Sequence, residues 1–126
     1  MLSTARIIPT VPASDLDRAR KFYEDKLGLH EAEVAPGPDG VMYAVGDGGL
    51  LVYRTDAKHG ENTAAGFLVE DLIREMKELR ERGIVFEDFD LPGLKTVGGI
   101  AEMNSGMKGA WFKDSEGNYL ALTQMA

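Results

Sequence analysis

The chain carries one design twice, and this repeat restricts the possible folds more than any single motif does. Residues 14–28, SDLDRARKFYEDKLG, place Leu16, Ala19, Phe22, Tyr23 and Leu27 on one helical face. Residues 71–83, DLIREMKELRERG, repeat the pattern with Leu72, Ile73, Met76 and Leu79, and Glu78 with Arg82 adds a favourable i,i+4 pair. A strand-like segment precedes each helix, ARIIPTVPA in one half and TAAGFLVE in the other. A glycine, Gly28 or Gly83, follows each helix as a stop. Ser14 with Asp17 reads as a capping pair, and Pro9 and Pro12 put the first strand at a sheet edge or an irregular spot. The offset from Asp15 to Asp71 is 56 residues in a chain of 126, close to half its length.

The later parts of the halves also correspond. An apolar strand follows each helix. VMYAVGDGGLLVYR reads as a hairpin with Asp-Gly at its tip, and GAWFKDSEGNYLALT is its twin. Each half is therefore β-α-β-β-β, which predicts an α+β fold of about eight strands and two helices. A single domain built from modules 1–57 and 63–126 follows. The glycine-rich stretch 90–108, DLPGLKTVGGIAEMNSGMK, has no twin in the first half and reads as a functional loop.

Composition narrows the partners. A net charge of −7 without a lysine or arginine cluster argues against nucleic acid. The absence of cysteine removes disulfides, zinc–cysteine sites and thiol catalysis. The N-terminal MLSTARIIPTV lacks the apolar core of a signal peptide, and no segment approaches the apolar length of a membrane span. The expectation is a soluble, cytoplasmic protein with no membrane partner.

VPASDLDRARKFYEDKLGL and WFKDSEGNYLALTQ resemble the first strand–helix unit and the closing hairpin of the vicinal oxygen chelate superfamily. That superfamily includes glyoxalase I, extradiol dioxygenases, and fosfomycin and bleomycin resistance proteins. The resemblance covers nearly the whole chain. It implies a curved mixed sheet of two βαβββ modules around a cleft, and a homodimer with side-by-side or exchanged modules. It also implies, for the enzymes, a divalent metal held by His, Glu, Gln or Tyr from the first and last strands of each module. Open coordination positions on such an ion would grip two neighbouring substrate oxygens. Carried onto this chain, those positions fall on Ile8, Leu51, Ala64 and Ala121, none of which can ligate a metal. The expected metal set is none, and so is the expected cofactor.

Other arrangements are weaker still. His30 and His59, with Glu31, Glu33, Glu61 and Glu102 as loosely associated carboxylates, show no HxH, HxxxH or HExxH spacing, and the two histidines read as solvated. Glu87, Asp88 and Asp90 in VFEDFD read as the wet face of a strand. VGDGG and TVGGIA lack the phosphate-loop pattern and precede no helix.

Strand alternation puts Arg6, Ile8, Thr10, Leu51, Tyr53, Ala64, Gly66, Leu68, Tyr119, Ala121 and Thr123 on one face. Leu50, Val52, Phe67, Val69, Leu120 and Leu122 fall on the other, under the helices. Trp111, opposite Ala121, projects from the first face. The candidate ligand-binding residues are Arg6, Met42, Tyr53, Glu102, Met103, Trp111 and Tyr119, a set suited to a flat, aromatic or cationic molecule. The same aromatics also suit a core or a dimer interface. The leading expectation is a metal-free binder resembling bleomycin resistance proteins. The alternative is a lyase, isomerase or dioxygenase with displaced ligands, or a metal-free catalyst using Glu102, Tyr53 or Arg6.

Overall fold

The computed structural model describes residues 1–126 apart from 5, 34–36 and 104 and the side chain of residue 2. The first half runs β1 (Thr10–Ala13), α1 (Leu16–Lys21), β2 (His30–Glu31), β3 (Gly40–Val45) and β4 (Gly48–Arg54). The second runs β5 (Thr63–Leu68), α2 (Leu72–Glu81), a small hairpin β6 (Asp90–Leu91) and β7 (Leu94–Lys95), then β8 (Ala101–Glu102), β9 (Lys108–Lys113) and β10 (Tyr119–Gln124). The strand orders are β1-β4-β3-β2 and β5-β10-β9-β8, one arrangement used twice. Each sheet is mixed, because its first strand lies parallel to its last and the remaining ladders are antiparallel. This is the paired-module α+β architecture that the repeat predicts. The edge strands β1 and β5 meet at the seam between modules.

The repeat extends to backbone detail. Asp15 and Asp71 cap α1 and α2 with nearly the same extended conformation, and each accepts the backbone N–H three residues on, at 3.0 and 3.1 Å. This corrects the expected Ser14–Asp17 pair: Asp15 is the cap, and the Ser14 hydroxyl instead donates to Glu116. The Asp15 carboxylate reaches the amide of Arg18 more directly than a serine one residue earlier could. The first helix also ends differently from expectation. Its last turn, Phe22–Lys26, is a π turn, and it coincides with burial of the neighbours Phe22 and Tyr23. Gly28 and Gly83 follow the two helices at φ +71° and +91°, where a side chain would be strained.

One core serves both modules. Val11, Leu50, Val52, Leu72, Met76, Phe112, Leu120 and Leu122 are buried, with Phe67 and Val69 packed against them half-buried. The helix-facing set read from alternation is therefore the core set. Each large side chain fully buried there contributes about 1.5–3 kcal/mol.

Two segments depart from the sequence reading. The strand predicted across VFEDFD reduces to a single bridge, Phe86 to Phe112, with the Glu87 N–H donating to the Trp111 carbonyl. The edge beside β9 is completed instead by β8, which pairs Ala101 with Gly109 and Glu102 with Lys108. So the 90–108 stretch does have a first-half counterpart, since β8 stands against β9 as β2 stands against β3. The cause is local. The Thr96 hydroxyl takes the Phe89 N–H at 2.7 Å, and the Asp88 carboxylate takes the Thr96 hydroxyl and the Gly99 N–H, each at 2.8 Å. These bonds turn the chain away from a ladder. Asp88 is consequently a fastening group and not merely part of a wet strand face. Its carboxyl is held below the usual range, chiefly by the Thr96 hydroxyl and then by the Gly99 amide.

Candidate ligand-binding site

The register of the closing hairpin places Trp111 opposite Ala121, as alternation predicts. The matching pair in the first module is Met42 opposite Leu51. Each pair lies in phase opposite to the buried Leu120 and Leu122, or Leu50 and Val52, so it stands on the face away from the helices.

On the second module this face opens into a recess of about 530 Å³ lined by Glu61, Asn62, Thr63, Phe89, Leu91, Leu94, Trp111 and Tyr119. The indole N–H donates to the Thr63 hydroxyl at 3.1 Å, which fixes the ring and leaves its face for apolar contact. Phe89 meets Trp111 edge-on, with centroids 5.9 Å apart and planes at 88°, and lies 6.4 Å from the Tyr119 ring. The Lys113 ammonium sits 5.2 Å from the Tyr119 centroid. Gly109 leaves room beneath this cluster: a Cβ there would stand 3.2 Å from Met103 Cε and 3.3 Å from Trp111 Cη2. The arrangement is three aromatic rings with two leucines facing a polar rim of Glu61 and Asn62. It suits a flat molecule with one polar or charged end.

Of the residues read from sequence, Trp111 and Tyr119 line this recess, and Met103 adjoins it through Gly109. The other four stand elsewhere. Arg6 is exposed, and its guanidinium donates to the carbonyl of Asp47 in the β3–β4 turn. Tyr53 lies near the far end of β4, about 20 Å from that turn by strand rise. Met42 is half-buried beside Gly49, and Glu102 is exposed on the edge strand β8. The sequence reading missed Phe89, Leu91 and Leu94. Their signal was the apolar spacing around Asp90 and Pro92, which reads equally well as strand and loop. A second groove, of about 570 Å³, runs along the module seam, where Pro9, Val45 and Leu50 face Ala65, Phe67 and Leu68.

The four positions implied for a metal carry no donor side chain. Ile8 lies ahead of β1, Leu51 pairs with Thr10 and Met42, Ala64 lies on β5, and Ala121 pairs with Trp111 and Gly66. Among the described residues no group of three or more His, Cys, Asp or Glu side chains is placed to hold an ion. Those four side chains supply none of the ligands that the family's metal uses.

Two mixed four-stranded sheets, each with its helix on one face and its other face open, define the class of paired βαβββ proteins. The chain belongs to the Glyoxalase/Bleomycin resistance protein/Dioxygenase superfamily, whose family model matches residues 6–122. Solved structures repeat the fold over nearly all of it. A member of this superfamily from Sphaerobacter thermophilus DSM 20745 is 22% identical, with a TM-score of 0.72 over 98% of this chain and 99% of that one. A lactoylglutathione lyase from Agrobacterium tumefaciens is 20% identical, with a TM-score of 0.69 over 96% and 93%. A putative glyoxalase family protein from Bacillus anthracis is 17% identical, with a TM-score of 0.71 over both whole chains. At these identities the likeness concerns fold and not activity. No curated protein matches the sequence at a significant level.

Proposed function

We propose that the protein is a small-molecule binder that sequesters an aromatic or cationic compound in the Trp111–Tyr119 recess, without a metal of the family type. The observation that carries this reading is the recess itself: three aromatic rings, two leucines and a carboxylate-bearing rim around about 530 Å³. The apolar residues at Ile8, Leu51, Ala64 and Ala121 favour binding over metal-assisted chemistry. A metal-free catalyst would use Glu102, Tyr53 or Arg6, and none of the three lines the recess. The binder acts as a homodimer in the cytoplasm.

Trp111 is the sole tryptophan, so its emission reports on the recess directly. Titration with the planar cation 9-aminoacridine should quench that emission saturably. It should also raise the melting temperature, with about 2.7 kcal/mol of added stability at a hundredfold excess over Kd. Both effects should survive a chelator. An unaltered spectrum at millimolar probe, or binding abolished by chelation, would contradict the reading.

A further inference from the structure

The wall of the recess is attached unusually. The strands β6 and β7 pair only with each other, and no ladder bond joins them to either main sheet among the described residues. Yet Leu91 and Leu94, on this hairpin, line the recess opposite the Trp111 and Tyr119 rings. What holds the hairpin is its root. The Phe89 carbonyl accepts the Thr96 N–H at 2.9 Å, and the Phe89 N–H donates to the Thr96 hydroxyl at 2.7 Å. That hydroxyl in turn donates to Asp88, which also receives the Gly99 N–H. Beneath this fastening the body is firm, because the Arg80 guanidinium donates to the Gly98 carbonyl at 3.0 Å and stacks over Phe86. Thr96 is among the few buried polar residues of those described, at 8% exposure, so its hydroxyl serves the hairpin root and not solvent.

We propose that Thr96 is a positioning residue, whose hydroxyl sets the Phe89–Leu94 wall and thereby decides which ligands the recess accepts, Leu91 and Leu94 being the side chains that select. This rests on the reading of the recess as a binding site. The Thr96 side chain bonds on both sides of the hairpin root, accepting from Phe89 and donating to Asp88. Valine there would fill the same volume while leaving the Phe89 N–H unpaired, so the hairpin would lean away from Trp111 with the rest of the fold intact. Serine would keep the bonds.

The test uses the full chain and two readouts. Acrylamide quenching of Trp111 needs no ligand: it should rise in Thr96→Val and stay at the wild-type level in Thr96→Ser. The 9-aminoacridine Kd should weaken about tenfold in Thr96→Val and be restored in Thr96→Ser. Leu91 is 56% exposed, so Leu91→Ala should fold normally and still raise Trp111 quenching. If Thr96→Val does not fold, Thr96→Ala, which also lacks the hydroxyl, carries the test in its place. Unchanged quenching in Thr96→Val, or in Leu91→Ala, overturns the proposal. Altered quenching with no probe binding to any variant upholds the positioning role and removes the function proposed above.

Discussion

Glu116, in the β9–β10 turn, shows how one side chain can join the two modules. Its side chain is 2% exposed, and its carboxylate receives the Arg18 guanidinium at 2.7 Å, the Asp15 N–H at 2.9 Å and the Ser115 hydroxyl at 2.9 Å. Burial acts to raise its pKa, but those donors outweigh it and bring the value down to about 2. The folded value lies below the unfolded one, so the stabilisation is complete above about pH 4.5 and disappears as pH falls towards 2. Glu116→Gln should therefore cost about 1–3 kcal/mol at neutral pH and flatten the stability curve across that acid window, as read by urea melts at a series of pH values. Equal pH profiles for the two proteins would refute the assignment. Nothing in DSEGN signals this role. The motif reads as a turn, and the partners that make it a clasp lie about a hundred residues earlier, on α1.

Caps and hairpins belong to the scale of the element, and here the sequence was most legible. The alternation of Leu50 and Val52, and of Leu120 and Leu122, identifies the buried face because a strand has only two faces to choose between. Helix starts were legible to within a residue, and the repeated Asp at the offset of 56 was the better guide to them than Ser14. Asp15→Ala and Asp71→Ala should each cost about 1 kcal/mol, because each removes the carboxylate that accepts a first-turn N–H. Thermal melts of the single and double variants check this. Near-additivity is expected, since the two caps share no hydrogen bond. VFEDFD was illegible for a physical reason: its alternation favours a strand, but Thr96 and Asp88 offer the backbone closer partners than a second ladder on β9.

For the whole molecule, the repeat gave the architecture, while the candidate site was only partly readable. Trp111 and Tyr119 follow from register alone, and the recess they line needs Phe89, Leu91 and Leu94 from a hairpin with no periodic signature. Assembly is the remaining question at this scale. Ile7 and Leu68 are 91% and 76% exposed, and Leu68 lines the apolar seam groove. A second copy of the chain is the proposed occupant of that face, in keeping with an apolar surface of this kind. Light scattering should give twice the chain mass, and Leu68→Lys should shift it to one chain with the fold retained. A single-chain mass for the unaltered protein at high concentration would count against the homodimer.

The clasp between modules also bears on how the chain is made. Arg54 completes the first sheet, so β1 to β4 can pair as soon as that residue leaves the ribosome. The Tyr23 hydroxyl, however, donates to Asp114 at 2.6 Å, and the Pro12 carbonyl accepts from Asn118 at 2.9 Å. Until those residues are synthesised, the buried Tyr23 phenol and the half-buried Pro12 carbonyl lack their partners and must keep water beside them. The nascent first module should stay loosely packed around Tyr23 until the last hairpin arrives, so synthesis order makes the C-terminal turn the closing step for the N-terminal half.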